Sequence, residues 1–506
     1  MAWAQDNGIL NKEKALWLES GNSALMETSG KRTDNTAGLS YGFITGEHHL
    51  FQEPQSSHNV RFNTAGYATI GKIKLWGQFS YDNITDSGTR YNTLVYAPHD
   101  ERFIYNVADT TLSDWKKQSY DMEFKMSAPL SQRLSGGLHI KYRDRIAAKQ
   151  QDPRSESTVY EAEVSPSIAC IIGSSHFIGF NVLYSRLLER SAPTLSNGSI
   201  LQNVFVLKGL GNYTEDVVGS GGLYTMYYQG NSYGGALQYG FDGSVELLVD
   251  MGYRINLTEL RQDATHPRDM GLSSVNDCFI NARLLIEREK SVHKLSFNSL
   301  YKHTKGTEYS TKQINGVGWE VVSKATMSEY TTADASLSYD YYLTEGDSYL
   351  WNAHSNIRYI SKDDSYVTPH SWFKYSGVSA EAGASRQFFL KKKKQSGVVF
   401  CSVLLPGRIR RNLQANLFRV LLRDEIAKRT ASAENITFRC AIYFHRNINV
   451  LASVESHSGI FQFVETDTKL SLHHKIKHLH TYGVFSDSDI FLSIETSHHY
   501  SEFHPF

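Results

Sequence analysis

Tyr120, Met122, Phe124, Met126 and Ala128 alternate with Asp121, Glu123, Lys125 and Ser127. Side chains repeat every two residues in a β-strand, so one face of this segment is apolar and the other polar or charged. After a short polar stretch the pattern resumes. Leu134, Gly136, Leu138, Ile140 and Tyr142 form one face, and Ser135, His139, Lys141 and Arg143 form the other. Strands this long, with one oily and one charged face, suit a closed barrel with lipid outside and water inside. The pattern therefore predicts an all-β chain. Its fold would be an antiparallel transmembrane β-barrel of about 14 strands, with a short N-terminal helix. A secreted β-sandwich or propeller is the competing architecture, but its strands usually run to only about 5–6 residues.

The alternation extends along most of the chain. Strands are predicted over Leu39–Thr45, Val60–Thr69, Ile73–Tyr81, Tyr160–Ile168 and Ile178–Tyr184, and then at Leu237–Phe241 and Val245–Tyr253. Later ones follow over Asp277–Glu287, Val292–His303, Tyr330–Tyr342, Tyr349–Ile360 and Ser371–Ser385. Pro166 removes a ladder donor and predicts an irregularity in its strand. Asp242-Gly243-Ser244 reads as a tight reversal in which Gly243 supplies a positive φ. Two long polar segments, Asp82–Lys116 and Leu187–Gly222, read as extracellular loops, against short turns at the other rim.

The two ends depart from this pattern. Ala2-Trp3-Ala4 before Gln5 reads as the remnant of a signal peptide, without the basic and apolar regions that would precede it. Asn11–Met26 reads as a helical turn or two with Leu10, Leu16, Trp17 and Leu25 as its apolar set, a short plug or arm at the barrel mouth. From Lys391–Lys394 onward Trp disappears and nine of the twenty His residues occur. That shift fits either a separate periplasmic region or a reading-frame slip at the lysine codons. The expected organisation is a signal remnant at 1–4, an arm at 5–38, a barrel at 39–390 and an atypical segment at 391–506.

Composition narrows the function classes. Lys+Arg and Asp+Glu are equal at 52 each, so no charge bias points to nucleic acid. Mean hydropathy is −0.39, and no run of about 18 apolar residues occurs, which excludes a helical membrane bundle but not a barrel. The 30 Tyr, 25 Phe and 7 Trp would supply interfacial aromatic girdles. Cys170, Cys278, Cys401 and Cys440 have neither metal spacing nor the density of a disulfide scaffold.

Candidate chemistry lies on the predicted inward face: Asp121, Glu123, Lys125, Lys141, Arg143, Glu161, Glu163, Glu246, Asp250, Arg254, Arg283 and Glu287. Such rings tune pore selectivity, or they hold neighbouring strands in register as ion pairs. Both signs are present, so no strong ion preference is expected. His354-Ser355-Asn356 brings together hydrolase residue types, but consecutive strand residues face opposite sides, so His354 is poorly placed to activate Ser355. Asp363-Asp364 near His370 is a thin metal set, and His473, His474, His478, His480, His498 and His499 lack acidic or thiolate partners. Gly219-Ser220-Gly221-Gly222 lacks the Lys-Ser/Thr of a phosphate loop. Neither enzyme activity nor a cofactor is expected.

Ala15-Leu16-Trp17-Leu18-Glu19-Ser20-Gly21-Asn22, Leu75-Trp76-Gly77-Gln78-Phe79-Ser80-Tyr81 and Gln238-Tyr239-Gly240-Phe241 carry a resemblance. With them the chain resembles an uncharacterised family of outer-membrane β-barrel proteins from Bacteroidetes-type Gram-negative bacteria, over roughly Gln5 to Leu390. The resemblance implies residence in outer-membrane lipid, with surface lipoproteins or a TonB-dependent transporter as partners. The expected function is a channel or transport-associated, porin-like barrel. The alternative is a non-conducting scaffold that engages partners through its long loops.

Overall fold

The computed structural model describes residues 8–28, 35–45, 52–95, 100–197, 199–218, 225–345, 348–390, 393–403, 408–412, 438–445, 449–456 and 490–497; from 387 onward only the backbone is described. A short helix α1 (Gly8–Lys14) and two 3-10 turns, Leu16–Glu19 and Ser23–Glu27, precede the sheet. Strands β1 (Asn35–Thr45), β2 (Ser56–Ile70) and β3 (Ile73–Thr89) open it. After β4 (Asn106–Asp109) come β5 (Ser113–Pro129), β6 (Leu134–Lys149), β7 (Arg154–Ile172) and β8 (His176–Thr194). Two short strands follow, β9 (Gln202–Gly209) and β10 (Asn212–Val218). The second half runs through β11 (Met226–Asp242), β12 (Glu246–Gln262), β13 (Arg268–Arg288) and β14 (Ser291–Ile314). It continues through β15 (Gly318–Glu345), β16 (Ser348–Tyr366) and β17 (Ser371–Leu390).

Fourteen of these, β1–β3, β5–β8 and β11–β17, form one antiparallel sheet in which each strand pairs with the next. The sheet continues through β18 (Lys393–Val403), with β19 (Arg408–Asn412) alongside β17. It then passes through β20 (Phe438–His445), β21 (Asn449–Ser456) and β22 (Ile490–Ser497), and β22 pairs with β1 to close the ring. Closure removes the unpaired edges that an open sheet would present.

The polarity of the wall is inverted relative to a soluble protein. Met122, Phe180 and Leu237 are 47%, 43% and 52% exposed on the outer face, while Lys125 and Asp250 on the inner face are 1% and 3%. An outer surface this apolar is tolerable only against lipid. Cross-strand aromatic pairs edge the apolar belt on both sides. Tyr81–Tyr120, Tyr142–Tyr160 and Tyr184–Tyr233 lie toward one rim, at centroid separations of 5.0, 5.6 and 5.5 Å. His176–Phe241 and His293–Tyr341 lie toward the other, at 5.0 and 5.1 Å. Along β11, Tyr233 and Phe241 are about 26 Å apart before strand tilt, matching the roughly 25 Å apolar band of such barrels. Leu237 lies midway between them, so Leu237→Arg is expected to cost about 2–4 kcal/mol of folding free energy in lipid vesicles. Denaturant titration measures it, and a cost near zero would remove the bilayer from this face.

Several details depart from the sequence expectations. Gly243 does not adopt a positive φ; among the short-turn reversals Gly71 and Gly173 do, at 62° and 69°. The strands overrun their predicted ends: β14 and β15 reach 24 and 28 residues, over twice the roughly 9–11 that a crossing needs. Their shared turn lies at the long-loop rim, so the wall rises beyond the belt on that side. Pro166 does mark an irregularity: β7–β8 pairing skips Ser165 and Pro166 without changing register. Cys170 and Cys278 are free and exposed on outward positions.

The two long loops are not featureless. Strands β4, β9 and β10 form a separate three-stranded sheet. With the 3-10 turn Glu101–Phe103 it folds into the long-loop end of the barrel. There Phe103, Val107, Val204 and Val206 pack against the inward-facing Trp115, Ala147, Val159 and Tyr228.

Candidate functional site

The barrel interior carries the chemistry, and it is layered along the axis. The arm formed by residues 8–28 fills the short-turn end. Leu10, Leu16, Trp17 and Leu25 are buried there with Phe177, Leu248, Leu285 and Tyr342 of the wall. Three successive turns give the arm outward-facing backbone groups, and wall side chains capture them. Lys125 Nζ donates to the carbonyls of Leu18 and Ser20, both at 2.9 Å. Ser135 Oγ donates to Ala24 O at 3.0 Å, and Lys74 Nζ donates to Met26 O at 3.0 Å. Asn22 caps its own turn by accepting from Ala24 N, while its amide donates to Ile168 O and to Gln238 at 2.8 Å.

Ion pairs fasten the opposite side of the arm. Lys294 Nζ lies 2.8 Å from Glu13 and 2.6 Å from Glu19, and Lys14 lies 2.8 Å from Glu287. Arg283 Nε donates to Glu19, and Ser20 Oγ donates to Asp250 at 2.9 Å. Burial pushes the Glu19 carboxyl up, but the Lys294 hydrogen bond and the Arg283 and Lys294 charges outweigh it and hold Glu19 below the usual range. A carboxylate with a lowered docked value contributes docking that is complete above the ordinary Glu range and lost as pH falls through that lowered value. Acidification is therefore expected to loosen the arm, read as protease cleavage within residues 8–28. Glu19→Gln should flatten this pH step, and a step unchanged in that variant would assign it to another group.

The twelve inward-face residues named from the sequence fall into two sets. Lys125, Asp250, Arg283 and Glu287 contact the arm, and Glu246 lines a small cleft of about 210 Å³ beside it. The remainder form charge ladders across β5–β7, joined by Arg254 of β12. Arg143 joins Asp121 at 2.5 Å and Glu161 at 3.0 Å, and Glu161 continues to Arg102 of the long-loop insert at 3.1 Å. Glu163 lies between Lys141 at 3.4 Å and Arg254 at 3.6 Å, and Glu123 meets His139 at 2.7 Å.

Other groups carry no charge-pattern signal of their own or lie on the inserts. Lys149 and Asp109 form an ion pair at 2.6 Å whose side chains are 0% and 1% exposed. Glu189 accepts from Val95 N and Ser157 Oγ, tying the insert to β7 and β8. Glu101 receives Thr304 and Thr332 hydroxyls from the far wall.

Between arm and insert lies a cavity of about 510 Å³ on the β12–β16 wall, lined by Arg254, Asp277, Phe279, Asn281, Asn298, Leu300, Asp334, Ser336, Ser338, Asn356 and Arg358. Register places it axially. On β13 the arm bonds to Arg283 and the insert to Ser273, and the cavity takes 277–281; on β14 the corresponding positions are Lys294, Thr304 and 298–300. Asn281 and Asn298 share the parity of the charged candidates, so the alternation that marked Arg283 marks them as well.

His354 Nδ1 lies 2.7 Å from Asp340, and Asp363 pairs with Lys374 at 2.6 Å. Among the described residues no group of His, Cys, Asp and Glu is arranged to hold a metal ion. Residues 219–222 and the histidines from His473 onward lie outside the described residues, as does the segment 1–4 read as a signal remnant.

Among solved structures, the outer membrane transporter YddB from Escherichia coli is similar at 8% identity, covering 92% of this chain and 81% of that one, with a TM-score of 0.42. The ferric yersiniabactin uptake receptor FyuA from Yersinia pestis is similar at 8% identity, covering 93% and 81%, with a TM-score of 0.38. No curated protein matches the chain. A family described as a family of unknown function (DUF6850) matches residues 23–478, and the chain belongs to it.

Proposed function

We propose that the chain is a transport-associated barrel of a Gram-negative outer membrane, a solute pathway stoppered at its short-turn mouth by its own N-terminal arm. One observation carries this reading. Residues 8–28 sit inside the ring, bonded to strands on both sides of the lumen from β3 round to β14. An arm serving only to stabilise a wall would need one side. The exposed apolar belt supports the membrane setting, and the short turns, by the usual asymmetry of such barrels, face the periplasm. The twelve inward-face residues divide the work: Lys125, Asp250, Arg283, Glu246 and Glu287 surround the stopper, and the ladders around Arg143 and Glu163 line the path.

The test is planar-bilayer conductance of the intact chain against one lacking residues 1–28. The intact chain should be near silent, and the truncated one should conduct in bursts as the insert at the other mouth opens. Equal conductance from both would remove the stopper. Silence from both would favour the second reading, a non-conducting scaffold, which the folded insert at the long-loop mouth specifically supports. In that reading the described insert residues 100–112 and 199–218 present a surface to a lipoprotein or a TonB-dependent transporter.

A further inference from the structure

The cavity between arm and insert holds side chains that the protein does not use. Asn281 faces Asn298 in register, and Asn298 faces Ser336 on the next strand. None of the three makes a side-chain hydrogen bond among the described residues, and all three are half-buried on the cavity wall, so their donors and acceptors are open to a ligand. The Oδ1 atom of Asp277 is buried without a hydrogen-bond partner, while its Oδ2 accepts from Asn256 at 3.0 Å. One row along, Phe279 faces Leu300 and makes a small apolar patch beside these groups.

The charged side chains lining the site balance, Arg254 and Arg358 against Asp277 and Asp334, and Arg254 lies opposite Asp277 in register. Arg358 is held by both oxygens of Asp334, and Arg254 is drawn toward Glu163. A solute with net charge would leave one sign unanswered, at the cost of burying an unpaired ion. A neutral solute rich in hydroxyls would not. Each amide both donates and accepts, as a hydroxyl does. The carbon face of a sugar ring has Phe279 and Leu300 to rest on. The volume lies within the roughly 300–1,000 Å³ of small-molecule sites.

We propose that this cavity binds a neutral, polyhydroxylated solute of about disaccharide size, an inference that rests on the pathway reading and names its cargo class. The Asn281–Asn298–Ser336 row reads the hydroxyls, and Phe279 with Leu300 reads the ring face.

Saturation-transfer NMR on the full chain in detergent tests it, with maltose, cellobiose, trehalose and sucrose as probes and glutamate and lysine as charged comparators. At least one disaccharide should give a saturable signal. Asn281→Leu and Asn298→Leu should each weaken it about tenfold, as losing one or two hydrogen bonds to a ligand implies. The milder Ser336→Ala should weaken it about threefold, and it guards against a folding failure of the larger replacements. No signal from any of the four disaccharides, tighter binding of a charged comparator, or binding that all three variants leave intact overturns the proposal. Binding by a chain whose truncated form stays silent in bilayers keeps the site and removes the pathway. Conduction without binding does the reverse.

Discussion

Gly137→Val is expected to unseat the N-terminal arm and leave the barrel itself intact. Gly137 lies on the inner face of β6, where the arm presses against bare backbone. A Cβ there would fall on the Ala24 amide nitrogen and lie 2.6 Å from Ser23 Oγ and 2.7 Å from Ser167 Oγ. Backbone cannot turn aside as a flexible side chain can, so valine forces the 3-10 turn Ser23–Glu27 to lift. That displacement breaks the Ser135–Ala24 hydrogen bond and pulls Asn22 from Gln238, in a region where orphaned buried polar groups each cost about 1–3 kcal/mol. Wild type should resist trypsin at Lys12 and Lys14, whereas the variant should be cut and should conduct in bilayers. Met122→Val, on the lipid face of β5, serves as the control and should change neither. An arm that stays protected in Gly137→Val would mean that its seat is looser than the contacts describe.

The second large effect is expected at the other mouth. Lys149 and Asp109 are both almost wholly buried, and Lys149 also donates to Thr111 O at 3.1 Å. Burial pushes the Asp109 carboxyl up even against the pull of Lys149, a sign of how little water reaches the pair. Lys149→Ala removes the only charged partner Asp109 has among its described contacts. Breaking a buried pair from one side costs about 3–5 kcal/mol, whereas replacing both partners with apolar groups of similar size is near neutral. The insert should then open locally, with amide exchange across Val204–Leu207 roughly a hundred- to a thousand-fold faster at the lower end of that cost. Lys149→Met with Asp109→Leu should recover most of the protection. If the double replacement exchanges as fast as the single one, packing rather than the ion pair holds the insert.

Alternation made the wall legible because only one environment, lipid outside and polar interior, acts on each strand. Tyr120–Ala128 keeps that rule for its full length. The rule fails where the interior is dry. Trp115 and Tyr228 point inward because the insert covers them, so strand ends at the long-loop rim lose their polar face and read as loop. The strands of the insert were hidden for a related reason. Val204-Phe205-Val206-Leu207 is a continuous apolar run, buried on both faces, and it has no period to detect. The arm was partly visible, since Leu10, Leu16, Trp17 and Leu25 formed one apolar set, but its polar seating depends on wall residues 48 to 281 positions away. The cavity leaves no charge pattern in the sequence: Asn281 and Asn298 have the right parity but carry no net charge to mark them.

The seating of the arm also bears on the order of assembly. The arm's polar bonds described above run to wall residues between Lys74 and Lys294, contributed by strands β3 to β14. A half-built, still curling sheet already offers every one of those partners. The arm can therefore dock early and act as a mandrel around which the remaining hairpins wrap, so that no finished pore has to be threaded.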